Sequence, residues 1–352
     1  MYSLLEALIA LALTVVLMGA AIPLVAANSG LSAATPEMLD EQQRARLGME
    51  ELSRDLGKAG AGLSVGPLAG PLVSSFAPII PRRLGLTGAD AHNVARQDAI
   101  TIIYASASPA QSVLAQPMSS PSDSLHLDPS AGCPLGTQVC GLQQGSTALL
   151  FDQSGRFDLV GILGLTGGAA TIEYLQSAPS AFSYQPGAAV AEAELHTYYF
   201  DAANLQLRHA DGAHSDVPVV DNVVALTFEY FGDPNPPTQP RPPLGTANCL
   251  YDAAGALLGG MSILPPAGGT LASLPLGRFT DGPWCGAGSN QFDADLLRVR
   301  MVRVNLRVQV GNMMMRGRSA DFLVPGLGRG AHTIPDYTMR FDVAPANMGS
   351  RR

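Results

Sequence analysis

Residues 1–27 read MYSLLEALIALALTVVLMGAAIPLVAA, and their reading decides the fold. From Leu4 to Ala27 the 24 residues are apolar apart from Glu6, Thr14, Gly19 and Pro23. About 20 consecutive apolar residues in a helix cross the hydrocarbon core of a bilayer, so the segment is long enough to span one. It exceeds the apolar core of an ordinary secretory signal, about 7–15 residues. Glu6 sets it apart from a plain anchor. An ionised carboxylate costs on the order of 3 kcal/mol when it lies deep in lipid without a partner, and there is no Lys or Arg before Arg44. The nearest cation is therefore an α-amino group, of this chain or of a neighbour. Two plainer readings stand beside this one. A simple anchor leaves Glu6 unexplained, and a secretory signal cleaved after Val25-Ala26-Ala27 lacks the positive n-region such signals carry.

Tyr2-Ser3-Leu4-Leu5-Glu6, followed by Pro23, resembles the N-terminus of type IV pilins and type II secretion pseudopilins. In that family a leader is clipped before an aromatic residue, a Glu stands at the fifth mature position and a Pro often at the twenty-second. With Tyr2 as the first mature residue, Glu6 and Pro23 meet both landmarks in one register. Met1 stands where the family has Gly before the cleaved bond. The stretch Arg46-Leu47-Gly48-Met49-Glu50-Glu51-Leu52-Ser53-Arg54-Asp55-Leu56 looks like the helix that follows in PilW-type minor pilins and J-type minor pseudopilins. Residues 154–231, residues 296–310 and Arg340-Phe341-Asp342-Val343-Ala344-Pro345 also look like large PilW-type minor pilins.

Working outward from that segment, Asn28-Ser29-Gly30 is a weak helix breaker. Thr35-Pro36-Glu37 is a restart, with Thr35 placed to cap and Pro36 suited to a first helical turn. From Pro36 onward Met38, Ala45, Met49, Leu52, Leu56 and Ala59 recur at helical steps, which predicts one apolar stripe. Glu50 and Arg54, four apart, lie on the polar side. Gly57, Gly60 and Gly62 end the helix. The expected division is an apolar helix over 1–27, an amphipathic continuation over 28–60 and an extracytoplasmic β-rich domain over 61–352.

Hydrophobic residues make up 47% of the 352 and charged residues only 14%, with 38 Gly and 27 Pro; that balance suits a loop-rich β domain rather than a helical bundle. The formal net charge of −8 argues against a general nucleic-acid surface. Residues 61–97 read as loop with short strands. Strands are expected at Asp98–Tyr104, Ala148–Phe151, Phe157–Leu163, Thr171–Leu175, Leu195–Asp201, Leu205–His209 and Thr338–Val343. Val217–Phe231 reads as one strand with Val224, Leu226, Phe228 and Tyr230 on its core face. Asp295–Val310 is the longest strand, and the apolar phase slips near Met301, which predicts a β-bulge. Asp233–Pro243, with six prolines, is an exposed loop.

Cys133, Cys140, Cys249 and Cys285 show no C-x-x-C spacing, and their even number after an export segment favours disulfides. Order and spacing favour Cys133–Cys140 and Cys249–Cys285 among three possible pairings, with free buried thiols as the alternative. The chain is read as holding no G-x-S-x-G, P-loop, H-E-x-x-H or EF-hand spacing. His92, His126, His196, His209, His214 and His332 show no paired-ligand spacing. His209 and His214, with Asp211 and Asp216, could hold a surface metal or be a solvated turn. Asp152, Ser154 and Asp158 could bind calcium or satisfy their own backbone. Arg298, Arg300, Arg303 and Arg307 could touch phosphate or form a solvated strand face.

The expected fold class is α+β, pilin-like: a long N-terminal helix, apolar then amphipathic, followed by a mostly antiparallel β domain with long Gly/Pro-rich loops. The resemblance implies a minor pilin or pseudopilin subunit, without enzymatic activity, cofactor or metal, single-pass in the inner membrane with its globular domain in the periplasm. It further implies cleavage after Met1 by a prepilin peptidase, N-methylation of Tyr2, and assembly through Glu6 and Pro23. The implied partners are other pilin or pseudopilin subunits, an inner-membrane assembly platform and membrane lipid, with no nucleic acid. After assembly the filament would stand at the cell surface. The alternative is a membrane-anchored extracytoplasmic β-domain binding protein that does not polymerise.

Overall fold

The computed structural model describes residues 3–349 except 109, 120–121, 123, 132, 134–135, 167, 177–182, 214, 267–268 and 329–332; for 22–33 and 138 it describes the backbone alone. One helix, α1 (Leu4–Lys58), runs for 55 residues, about 80 Å at 1.5 Å per residue. The expected break at Asn28-Ser29-Gly30 is not there: α1 is continuous from the apolar segment into the docked half. It ends where expected, at Lys58, with Gly60 in the left-handed region (φ 74°) turning the chain away.

The strands are, in chain order, β1 (Ile79–Ile80), β2 (Ala99–Ala105), β3 (Gln111–Val113), β4 (Ser124–His126), β5 (Thr147–Phe151), β6 (Phe157–Thr166), β7 (Ala169–Tyr174), β8 (Ala189–Asp201), β9 (Gln206–Ala210), β10 (Asp216–Asp221), β11 (Val223–Gly232), β12 (Ala272–Leu274), β13 (Trp284–Cys285), β14 (Phe292–Asp293), β15 (Val299–Val308) and β16 (Tyr337–Val343). Among the described residues every pairing of these strands is antiparallel. The fold is therefore α+β, an N-terminal helix followed by antiparallel sheets. The larger sheet runs β1-β2-β8-β5-β6-β7-β4, with β3 and β9 also on β8 and β10 on β9. The smaller sheet runs β12-β11-β15-β16.

Two departures from the sequence reading shape the centre of the molecule. Val217–Phe231 is two strands, because Asn222 adopts a left-handed conformation (φ 56°) between β10 and β11. Asn tolerates that conformation, and it passes the chain from the larger sheet to the smaller. In β11 the register then slips by one residue at Val224, so Val223, rather than Val224, joins Leu226, Phe228 and Tyr230 in the main core. The long C-terminal strand is also shorter than expected: Ala294–Arg298 is a 3-10 turn and β15 starts at Val299. The predicted bulge is present, with Phe231 opposite Met301 and Gly232 opposite Val299, which leaves Arg300 as the extra residue.

The larger sheet is buried on both faces around β5. Leu149 and Phe151 face the main core, while Ala148 and Leu150 face a second one with Leu125, Val160, Ile162, Ile172 and Val190. A strand covered on both sides reads as a continuous apolar run, as Ala148–Phe151 does. Disulfides join Cys133 to Cys140 beside the second core and Cys249 to Cys285 at the first, closing 7 and 36 residues. The larger loop contributes between about 3 and 4.7 kcal/mol by chain entropy.

Candidate functional site

The N-terminal end of α1 is built by Ser3 and Glu6. Ser3 is the N-cap, and the two residues form a reciprocal capping box. The Ser3 N–H donates to Glu6 Oε2 at 2.9 Å, the Ser3 hydroxyl to the same oxygen at 3.2 Å, and the Glu6 N–H to Ser3 Oγ at 3.3 Å. The carboxylate thus sits in the first turn, where the helix dipole favours negative charge. Among the described residues no Lys, Arg or His pairs with Glu6, and nothing hydrogen-bonds its Oε1. Tyr2 and the side chain of Pro23 lie outside the described residues.

From Leu4 to Ala21 none of the helix is buried by the described residues, and the stretch is long and apolar enough to cross a membrane. Leu4 is 82% exposed and Leu17 69%. Its one hydroxyl, that of Thr14, donates to the Ala10 carbonyl at 2.6 Å, so it needs no water.

The second half of α1 is docked across β15, β16 and β10. Its buried face is Glu41, Ala45, Gly48, Leu52, Asp55, Leu56 and Ala59. The expected stripe is therefore partly right: Ala45, Leu52, Leu56 and Ala59 are on it, whereas Met38 is exposed and Met49 half-buried. Two acids and a glycine take the remaining places, each for its own reason. Glu41 Oε1 accepts the Tyr337 N–H at 2.9 Å, tying the helix to the first residue of β16. Burial pushes its carboxyl up to about 7, against the lowering pull of that N–H and of Arg44. Gly48 lets Leu306, Val220 and Leu207 close on the helix; a Cβ there would lie 2.9 Å from Leu306 Cδ2. Beside this face, Arg44 donates to the carbonyls of Asp221 at 2.9 Å and Gln309 at 3.3 Å.

Asp55 opens a polar cluster between α1 and the larger sheet. Its Oδ2 accepts the Tyr198 hydroxyl at 2.6 Å and lies 3.6 Å from His196 Nδ1. His196 Nδ1 is 2.7 Å from His209 Nε2, and His196 Nε2 is 2.9 Å from the Tyr104 hydroxyl. Lys58 Nζ approaches Asp55 Oδ1 at 3.7 Å from the half-exposed rim. The register explains the convergence. Tyr198 pairs with His209 across β8 and β9, His196 is two residues from Tyr198, and Tyr104 pairs with Glu194 across β2 and β8; residues two apart on a strand share a face. Burial holds both imidazoles below their ordinary pKa and raises both tyrosines.

His196 and His209, which show no paired-ligand spacing in the sequence, are thus brought together by the fold. The turn with Asp211 and Asp216 does not gather round His209: Asp216 accepts the Tyr199 hydroxyl at 2.6 Å and Arg208 at 2.9 Å, and Asp211 accepts the N–H groups of Ala213 and Ser215 at 2.9 and 3.1 Å. His214 and His332 lie outside the described residues. Asp152, Ser154 and Asp158 do not converge either. Asp152 pairs with Ser154 and Arg156 at the turn, while Asp158 is buried and accepts Gln176 and Tyr184 at 2.5 and 3.0 Å.

The basic row, Arg298 in the 3-10 turn and Arg300, Arg303 and Arg307 on β15, is spent on internal partners. Arg298 donates to the carbonyls of Pro234 and Ser262 beside Asp295, and Arg300 to those of Leu297 and Val299. Arg303 pairs with Asp342 at 2.6 Å and Arg307 with Asp336 at 2.8 Å. One catalytic spacing does occur, contrary to expectation: Gly62-Leu63-Ser64-Val65-Gly66 fits G-x-S-x-G. It follows a helix rather than a strand, and the Ser64 hydroxyl donates to Gln111 at 3.2 Å; the strand-turn-helix that exposes a nucleophile is missing.

No protein-family model, curated protein or solved structure matches the chain. The apolar N-terminal helix, as span or signal, and the two disulfides mark a membrane-inserted or exported protein.

Proposed function

We propose that the chain is a minor pilin or pseudopilin-like subunit of a type IV pilus or related filament. Leu4–Ala21 holds it in the inner membrane, and the same surface packs against the helices of other subunits when the filament forms. The supporting observation is that the most apolar stretch of α1 has no cover among the described residues, while the helix from Glu41 onward is fastened to the β domain. An apolar helix that leaves lipid has to be covered by another apolar surface. Glu6 fits the same account. Its capping box engages Oε2 and leaves Oε1 for an amine, and an α-amino group brought by an adjacent subunit would fix axial register. The large β domain suits a single copy at the initiating or tip position rather than a repeating shaft. A prepilin peptidase cutting before Tyr2 would supply the free amine.

A second reading, a tethered binding protein, draws on the capping box itself, which gives Glu6 a role inside its own helix. Glu6→Gln separates the two, because Gln also completes a capping box but carries no charge. In filament-bearing cells the variant should still insert in the membrane, while its recovery in sheared filaments falls at least tenfold. Absence of both wild type and Glu6→Gln from sheared filaments, with both still in the membrane, would leave the tethered reading.

A further inference from the structure

We propose that Asp55, His196 and His209 bind one divalent transition-metal ion of the zinc class, clamping the last turns of α1 to the β8–β9 hairpin. This is independent of whether the chain polymerises. The three residues come from three elements, and their ligand atoms all lie within 4.8 Å of one another. Around a tetrahedral ion with bonds of about 2.0–2.1 Å, two ligand atoms stand about 3.3 Å apart. Asp55 Oδ2 and His196 Nδ1 are 3.6 Å apart, too far for a hydrogen bond and close to that spacing. The imidazole nitrogens, 2.7 Å apart with the ring centroids at 4.9 Å, share a proton head-on; to hold the ion they open by about half an ångström and each ring turns by about 35° so that both lone pairs meet at one point. A hydrogen-bonded chain Tyr104–His196–His209 accounts for the two rings, and the Tyr198 hydroxyl and Lys58 for the two oxygens of Asp55; neither accounts for the approach of Asp55 Oδ2 to His196 Nδ1.

The surroundings supply what two of the three ligands need. A ligating histidine usually has its other nitrogen fixed by a polar partner, and a ligating carboxylate is itself hydrogen-bonded. His196 Nε2 faces the Tyr104 hydroxyl at 2.9 Å and Glu194 at 3.7 Å, and Asp55 Oδ2 holds the Tyr198 hydroxyl at 2.6 Å. Two imidazoles and a carboxylate suit zinc, cobalt or nickel rather than magnesium or calcium. Three protein ligands leave a fourth position for water. Lys58 competes for Asp55 from the rim, where its half-exposed side chain also reaches the Tyr104 hydroxyl at 3.4 Å.

The untagged full-length chain in detergent micelles, stripped by chelator and dialysed, is titrated with Co²⁺ and then Zn²⁺. One equivalent of cobalt should bind with the visible d–d bands of a four-coordinate site, zinc should displace it, and either metal should raise the melting temperature. His209→Gln should weaken binding at least tenfold, and Tyr198→Phe, which only removes the hydroxyl on Asp55, about 10- to 100-fold. Circular dichroism checks that both variants fold. A wild-type chain that takes up no cobalt overturns the proposal whatever the variants do, and so does uptake undiminished in a folded His209→Gln.

Discussion

The two halves of α1 invert the usual relation between hydrophobicity and burial. Leu4–Ala21 is almost wholly apolar and lies open along its length; the docked half carries acids, arginines and a glycine, yet is sealed against two sheets. Composition does not explain the difference. What each half faces does: β10, β15 and β16 offer the second half a surface shaped to it, whereas nothing in the described chain faces the first. The cover for the first half has to come from outside, from lipid or from another helix. The docked half shows how a helix face is made specific. Leu52 and Leu56 supply apolar area, and Glu41, Gly48 and Asp55 fix which surface that area meets.

The largest expected break in this comparison comes from truncating one leucine in each half. Leu52→Ala empties a fully buried site and should cost about 2–5 kcal/mol. Leu11→Ala, at a residue 68% exposed, should stay within about 0.5 kcal/mol. Urea unfolding of the full-length chain in micelles checks both; equal losses would mean that the first half is covered after all.

Glu41 sharpens the comparison through pH. Its carboxyl titrates at about 7 in the folded chain against an ordinary 4.5. Between those values the folded chain keeps a proton that the unfolded chain has lost, so this group's contribution to stability falls as pH rises through the window and levels off above it. Glu41→Gln retains an acceptor for the Tyr337 N–H and removes that slope. The urea midpoint of the variant, relative to wild type, should therefore be higher at about pH 8 than at about pH 5. A constant difference between the two pH values would show that Asp336 or Arg44 governs the region instead.

The smallest effect is a reversal of sign between two glycines. In a helix interior Gly→Ala ordinarily gains about 1 kcal/mol. At Gly48 the added Cβ would crowd Leu306 and Val220, and overpacking of about 1–3 kcal/mol should leave a net loss of about 1 kcal/mol. At Gly19 nothing lies within 4 Å, so Ala should be neutral or mildly stabilising. Thermal melts of the two variants read the signs directly.

Much of the architecture was legible because its signals are local. The apolar segment, the end of the helix at Lys58, both disulfide pairs, the bulge at Arg300 and most strands follow from periodicity, turn chemistry and spacing. The misses have a common cause. Asn28-Ser29-Gly30 reads as a break on propensity, which is a weak prior. The single strand over Val217–Phe231 hides a crossover that turns on the left-handed backbone of Asn222. The face of α1 was misread at Met38 because a hydrophobic pattern rewards methionine and passes over Glu41, Gly48 and Asp55. The His196–His209 cluster was invisible because its members meet only through strand register, and nothing in their linear spacing encodes it. Ser64 shows the converse: a catalytic spacing in the sequence, without the backbone that gives it meaning.

The sequence by itself determined that this chain carries a long apolar helix with an acid near its start, and that a β-rich domain with four cysteines follows. Both are properties of continuous segments, set by composition and period. Only the tertiary structure decided which half of the helix is docked, which acids lie beneath it and which histidines face one another. Those depend on pairings between residues far apart in the chain, fixed by shape and hydrogen bonding across α1 and the two sheets.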